Sequence, residues 1–350
     1  MRRAATRMSV NGGPARIPDD MFAGHIAESD TLSRVGHGES CVGRTYVAQW
    51  RNWMSLVAVD WGTSSLRGAL LDGTGRVLEE KTAPQGILTV PAGQFAAVFE
   101  SIFAAWMQPA GSFCLISGMA GSRQGWAEAP YETCPAGLPH LARHLHWIER
   151  ARIAIVPGLC DEHGSVPDVM RGEEVQIFGA IQLTGKTTGL FVLPGTHNKW
   201  ATVRDGRVTG FRTCMTGEFY SLLSQHSILA RTLQTDAPLD EVAFLRGVAC
   251  ANNGEGLLHN AFGARTLGLF QRMPAPALAS YLSGVLIGEE LRTQPLQGIR
   301  EVVLIGVPAL TTLYALALKT VGIDARALGA EATWAGAHAL HTLLRTRHSS

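Results

Sequence analysis

Residues 55–82 read SLVAVDWGTSSLRGALLDGTGRVLEEKT. Three short strands can be marked off in them: Ser55–Asp60, Leu66–Leu71 and Val77–Thr82. Between them lie Trp61-Gly62-Thr63-Ser64-Ser65 and an Asp72-Gly73 turn. The same grammar returns at 190–212, LFVLPGTHNKWATVRDGRVTGFR. Leu190–Pro194 is apolar, Gly195-Thr196 follows, Trp200–Val203 is a strand, Asp205-Gly206 a turn and Val208–Arg212 a third strand. Thr63 and Asp72 thus recur 133 residues later as Thr196 and Asp205. A repeat of this kind predicts two domains on one plan, with equivalent tight loops facing each other.

Helices and strands alternate around each unit. Phe95, Val98, Phe99, Ile102, Phe103 and Trp106 form a helical stripe. Phe113–Ser117 and Arg152–Val156 read as strands and Val169–Leu183 as a helix. Further on come helices at about 217–233 and 277–292, then strand Glu301–Ile305 and helix Leu310–Val321. Strand Ile323–Leu328 and helix Ala332–Thr346 complete the pattern. The fold class is α/β, with partly parallel sheets and a cleft between two halves.

The 350 residues are 46% hydrophobic and 17% charged, which excludes a disordered or fibrous chain. The net charge of +1 leaves no basic field for nucleic acid. No apolar run is long enough to span a bilayer. The six cysteines are widely spaced without a CxxC pair, as in a reducing compartment, so a cytoplasmic protein is expected. Residues 1–53 lack any sustained period and read as a tail or an upstream start, with Met54 opening the folded part. Oligomeric state is silent in the sequence.

Small residues at a sharp strand-to-strand turn let backbone N–H groups cradle phosphate oxygens, which suits Gly62, Thr63, Gly195 and Thr196. An ordinary hairpin explains either loop alone; two on matching frames favour nucleotide phosphates. Asp60, at a strand end, suits a Mg²⁺ bridging those phosphates. Arg171 suits a substrate carboxylate, because guanidinium forks match carboxylates. Lys199 either touches a β- or γ-phosphate or is a surface lysine on a hairpin. Thr216 and Gly217 open a helix whose N-terminus suits phosphate or ribose oxygens. Trp126, in the loop GMAGSRQGW (118–126), either stacks on the flat face of a ligand or fills core.

These stretches also carry a resemblance. Val57–Arg67 is similar to the first phosphate loop of the sugar kinase, Hsp70 and actin superfamily. More narrowly, ISGMAGSRQGWAEAPY (116–131), IVPGLC (155–160), VMRGEE (169–174), LPGTHNKW (193–200) and FRTCMTGE (211–218) resemble the 2-dehydro-3-deoxygalactonokinase family. The resemblance covers about residues 56–340 and implies two actin-like, ribonuclease H-like domains with a nucleotide cleft between them. The expected division is 54–186 on the sugar side and 187–350 on the nucleotide side. It further implies an ATP- and Mg²⁺-dependent kinase of a 2-keto-3-deoxy sugar acid in galactonate breakdown, acting on the terminal 6-hydroxyl. Gly172-Glu173-Glu174 resembles the Gly-Asp-Gln helix opening of glycerol-kinase-like enzymes, and Glu173 falls on the general base; a solvated first-turn charge is the plainer alternative. Ser64, Ser65, Gly118, Met119 and Ser122 are placed with Arg171 and Trp126 on the sugar side. Gly306 falls where the adenosine loop turns, although Val307-Pro308 replaces the small polar pair expected there.

Two patterns point elsewhere and are set aside. Gly185-Lys186-Thr187 lacks the leading glycine of a P-loop. His140, His144 and His146 cluster without an acidic or Cys partner at metal spacing.

Overall fold

Strand β1 (Ser55–Trp61) sends alternate side chains into two different cores. Val57, Val59 and Trp61 pack with Phe95, Phe99, Phe103 and Trp106 of helix α1 (Phe95–Met107); Leu56 and Ala58 enter a larger central cluster. Covered on both faces, such a strand reads as an unbroken apolar run. The computed structural model describes residues 55–347, so the expectations for 1–53 and Met54 lie outside the described residues.

The first half continues with β2 (Leu66–Asp72), β3 (Val77–Ala83), β4 (Ser112–Gly118), β5 (Tyr131–Thr133) and β6 (Ala136–Gly137). Helix α2 (Leu138–Arg143), β7 (His146–Glu149), β8 (Ile153–Ile155), β9 (Gly158–Asp161), β10 (Asp168–Met170) and α3 (Glu173–Thr184) follow. The second half opens with β11 (Gly189–Leu193), β12 (Asn198–Arg204), β13 (Arg207–Cys214), α4 (Thr216–His226) and α5 (Glu241–Cys250). It ends with α6 (Leu257–Leu269), α7 (Ala275–Arg292), β14 (Glu301–Ile305), α8 (Pro308–Lys319), β15 (Asp324–Leu328) and α9 (Glu331–Arg347).

Two large sheets repeat one plan. Their orders are β3-β2-β1-β4-β8-β7 and β15-β14-β11-β12-β13-β6. In each, an antiparallel meander (β1–β3, β11–β13) is extended by two parallel strands (β4 and β8, β14 and β15). The 133-residue repeat therefore corresponds to a repeated sheet. Strand β6 comes from the first half of the chain yet pairs with β13 in the second sheet.

Helices α3 and α9 pack on each other, α9 also against β1 and β2 and α3 against β14. Their side chains Val175, Phe178, Trp334 and Leu340 share the central cluster with Leu56 and Ala58 of β1 and Phe191 and Leu193 of β11. Leu190 and Val192 face the other way, onto α5, α7 and α8.

One expected element is corrected. Val169 does not begin a helix: β10 pairs with β9, and Gly172 at φ 108° separates it from α3. Apolar Val169-Met170 satisfies a short strand as well as a helix, and only the pairing partner decides. The three histidines also part company, because His140 is in α2, His144 follows it and His146 is in β7.

Candidate active site

The β1–β2 and β11–β12 loops open onto one cavity of about 520 Å³. Its wall includes Asp60, Gly62 and Thr63 from the first unit and Gly195 and Thr196 from the second. Gly118, Met119, Arg171 and Glu173 line it as well. Gly306, after β14, and Gly329, Ala330 and Thr333, at the entry to α9, close the remaining side.

The first loop is pinned at both ends. Gly62 N–H donates to Ser65 C=O at 2.9 Å, and Ile87 N–H donates to Gly62 C=O at 3.0 Å. Ser64 and Ser65 are exposed and outside the cavity wall. Asp60 is ion-paired with Arg67, its direct cross-strand partner on β2. Gly118 has φ 88°, and a Cβ there would stand 2.8 Å from Trp61 C=O, so the loop after β4 meets β1 only with glycine.

Glu173 and Glu174 both cap the start of α3. Arg171 N–H donates to Glu173 Oε2 at 3.0 Å, and Gly172 N–H to Glu174 Oε2 at 2.7 Å. Glu173 is half-buried on the cavity wall, not a solvated helix-end charge. Burial pushes its carboxyl above the usual range, while nearby Lys199 pulls it back. Glu174 is fully buried away from the cavity; burial, with the Glu173 charge, raises it to about 8.

Arg171 is 8% exposed and lies 4.2 Å over the Tyr131 ring. Its Nη2 donates to Ala129 C=O at 2.8 Å, leaving Nε and Nη1 buried without a protein partner. Unpaired N–H groups on a buried guanidinium carry a desolvation cost that an anion at the cavity wall would offset.

Three expected contacts take other positions. Trp126 lies outside the wall, half-buried, its ring packed on the core at Trp61 (6.0 Å) and Phe99 (5.5 Å). Ser122, also outside the wall, has a buried Oγ without a partner. Lys199 is buried, with Nζ donating to Thr213 Oγ1 at 2.8 Å, neither on the wall nor on the surface.

A second cavity of about 610 Å³ adjoins the first at Gly195, Pro308 and Leu310. Thr216, Gly217 and Tyr220 of α4 line it, with α7 and α8 opposite. Among the described residues no cluster of three or more His, Cys, Asp or Glu is placed to hold a metal. A single carboxylate is nonetheless the donor set Mg²⁺ takes alongside nucleotide phosphates and water. Asp60 fits it: Oδ2 pairs with Arg67, and Oδ1 is turned toward Gly118.

Arg67, Gln176, His197 and Thr333 also line the wall, though no motif assigns them a role. Two carried a signal: Arg67 is fixed opposite Asp60 by the hairpin register, and Gln176 follows Glu173 by three on one helix face.

A sequence model of the family described as 2-keto-3-deoxy-galactonokinase matches residues 60–340. A candidate 2-dehydro-3-deoxygalactonokinase of Rhizobium meliloti (strain 1021) is 38% identical over 282 residues, covering 78% of this chain and 92% of its own. The 2-dehydro-3-deoxygalactonokinase of Escherichia coli (strain K12) is 31% identical over 277 residues, 79% of this chain and 93% of its own. A crystal structure of a candidate 2-dehydro-3-deoxygalactonokinase from Sinorhizobium meliloti superposes with a TM-score of 0.75 at 37% identity, covering 81% of this chain and 97% of that one.

Proposed function

The chain belongs to the 2-keto-3-deoxy-galactonokinase family, and on that premise we propose that it transfers the γ-phosphoryl group of ATP to the terminal 6-hydroxyl of 2-dehydro-3-deoxygalactonate. The supporting observation is the convergence on one cavity of both Gly-Thr loops, Asp60, Glu173 and Arg171, whose Nε and Nη1 have no protein partner.

In this reading Gly62-Thr63 and Gly195-Thr196 hold the phosphates. Adenosine occupies the adjoining cavity, against Thr216 and Gly217 and near Gly306. Arg171 receives the sugar-acid carboxylate, and Gly118 and Met119 border the sugar. Asp60 holds Mg²⁺, which when bound neutralises charge on the phosphates. Glu173 accepts the 6-hydroxyl proton as the O6–P bond forms and the bond from γ-phosphorus to ADP breaks. Positioning and charge neutralisation supply most of the acceleration. Two lobes, 54–186 and 187–350, close on the substrates, with β6 and α9 crossing between them.

The test is ADP release across a panel of aldonic and 2-keto-3-deoxy sugar acids. Turnover that depends on 2-dehydro-3-deoxygalactonate is expected. Equal ATP hydrolysis without an acceptor would make the chain an ATPase, and preference for another acid would transfer the same mechanism to that substrate.

A further inference from the structure

The two phosphate-loop candidates tie back their first glycine differently. Gly62 N–H donates to a backbone carbonyl, that of Ser65. At the equivalent place 133 residues on, Gly195 N–H donates to a side chain, Asn198 Oδ1, at 2.6 Å. A carboxamide can turn either its oxygen or its NH₂ toward that N–H, and only the oxygen makes the bond.

The other end of Asn198 decides the matter. Its Nδ2 donates to Glu290 Oε2 at 2.8 Å and also to the Tyr314 hydroxyl, whose own proton goes to the same carboxylate. Glu290, on α7, is 5% exposed and also receives Trp200 Nε1 at 2.5 Å, the Tyr314 hydroxyl at 2.5 Å and the Thr216 hydroxyl. All four partners donate, so the carboxylate takes the NH₂ of Asn198 and leaves Oδ1 for Gly195. Asn198, Thr216 and Tyr314 also line the 610 Å³ cavity. The buried carboxylate therefore joins the second loop, α4, α7 and α8 beneath the floor of that cavity.

We propose that Glu290 is a positioning residue for the second phosphate loop, acting by fixing the Asn198 carboxamide so that its oxygen holds the Gly195 N–H. The consequence for turnover rests on the proposed reading that this loop binds ATP phosphates.

The test uses the full chain and two readouts, hydrogen exchange at the Gly195 amide and KM for each substrate. Glu290→Gln offers an NH₂ of its own, so Asn198 can turn over and present NH₂ to Gly195. Faster Gly195 exchange is expected, with KM for ATP up by about tenfold and KM for the sugar acid within about twofold. Asn198→Asp sets two carboxylates together and should be at least as damaging. The double variant Glu290→Gln with Asn198→Asp restores a donor facing an acceptor, and should return both readouts to near wild type. Trp200→Phe removes a donor to Glu290 without freeing Asn198; it should lower thermal stability and leave Gly195 exchange unchanged. Should Glu290→Gln fail to fold, Asn198→Ala must reproduce the exchange and KM changes. Unchanged Gly195 exchange, or a double variant no better than Glu290→Gln, would overturn the positioning role. Exchange altered and rescued with KM for ATP unmoved would overturn the loop's nucleotide assignment instead.

Discussion

Gly179 of α3 and Gly336 of α9 meet backbone to backbone. A Cβ on Gly179 would collide with the carbonyl oxygen of Ala332, and one on Gly336 with that of Val175. The two helices lie between the sheets, so neither can retreat without disturbing the central core. Gly179→Ala and Gly336→Ala should each cost stability at the upper end of the ~1–3 kcal/mol typical of overpacking. Urea midpoints measure this, and variants as stable as the parent would mean that the helices slide apart freely.

Glu173→Gln keeps size and hydrogen bonding but cannot take a proton. Its kcat should fall by about 10²–10⁴-fold while both KM values move little. Glu174→Gln, whose side chain is buried off the cavity, should retain most of the rate. The reverse pattern would place the base at Glu174.

The acid limb of the rate profile carries a second prediction. Burial raises the Glu173 carboxyl and the Lys199 charge lowers it. Lys199→Met removes the lowering influence, so the limb should move to higher pH. A profile of kcat/KM against pH with an unmoved limb would mean that another group titrates there.

Glu174 bears on stability. Its carboxyl is held at about 8, whereas an unfolded glutamate ionises near 4.5. Across that interval the folded chain retains a proton that the unfolded one has released, so this group's contribution declines as pH rises. Glu174→Gln removes the effect. Its stability relative to wild type should therefore improve between about pH 5 and about pH 8, as followed by denaturant unfolding. A pH-independent difference would mean that Glu174 is relaxed into solvent contact.

Arg171→Lys keeps the charge but not the planar N–H array. KM for the sugar acid should rise by about tenfold, with ATP binding little affected. A neutral sugar analogue should not distinguish the two proteins; equal losses on both substrates would make Arg171 a packing residue against Tyr131.

The repeated meander was legible in the sequence because Gly62-Thr63 with Asp72-Gly73, and Gly195-Thr196 with Asp205-Gly206, punctuate apolar runs at fixed spacing. Asp60 is marked by its place at a strand end, and Glu173 by the likeness of Gly172-Glu173-Glu174 to a kinase helix opening, with Arg171 beside it; all three line the cavity. What escaped depends on distant partners. Asn198 meets Glu290 across 92 residues, and no periodicity records such a pairing. Trp126 is ambiguous in sequence because an aromatic side chain suits a core and a sugar face alike; only the fold sets it half-buried beside Trp61 and Phe99 and off the cavity wall. Val169–Met170 was misread because two apolar residues satisfy either period until β9 is placed beside them.

Helix α9 has a consequence for how the protein is made. The strands that bury Leu56, Leu71 and Phe113 are among the first described residues to leave a ribosome, yet the side chains that cover them include Trp334, Leu340 and Leu344, close to the end. Until α9 is in place the core beneath that sheet lacks one of its covering helices, so the early strands cannot finish packing with their sequence neighbours alone.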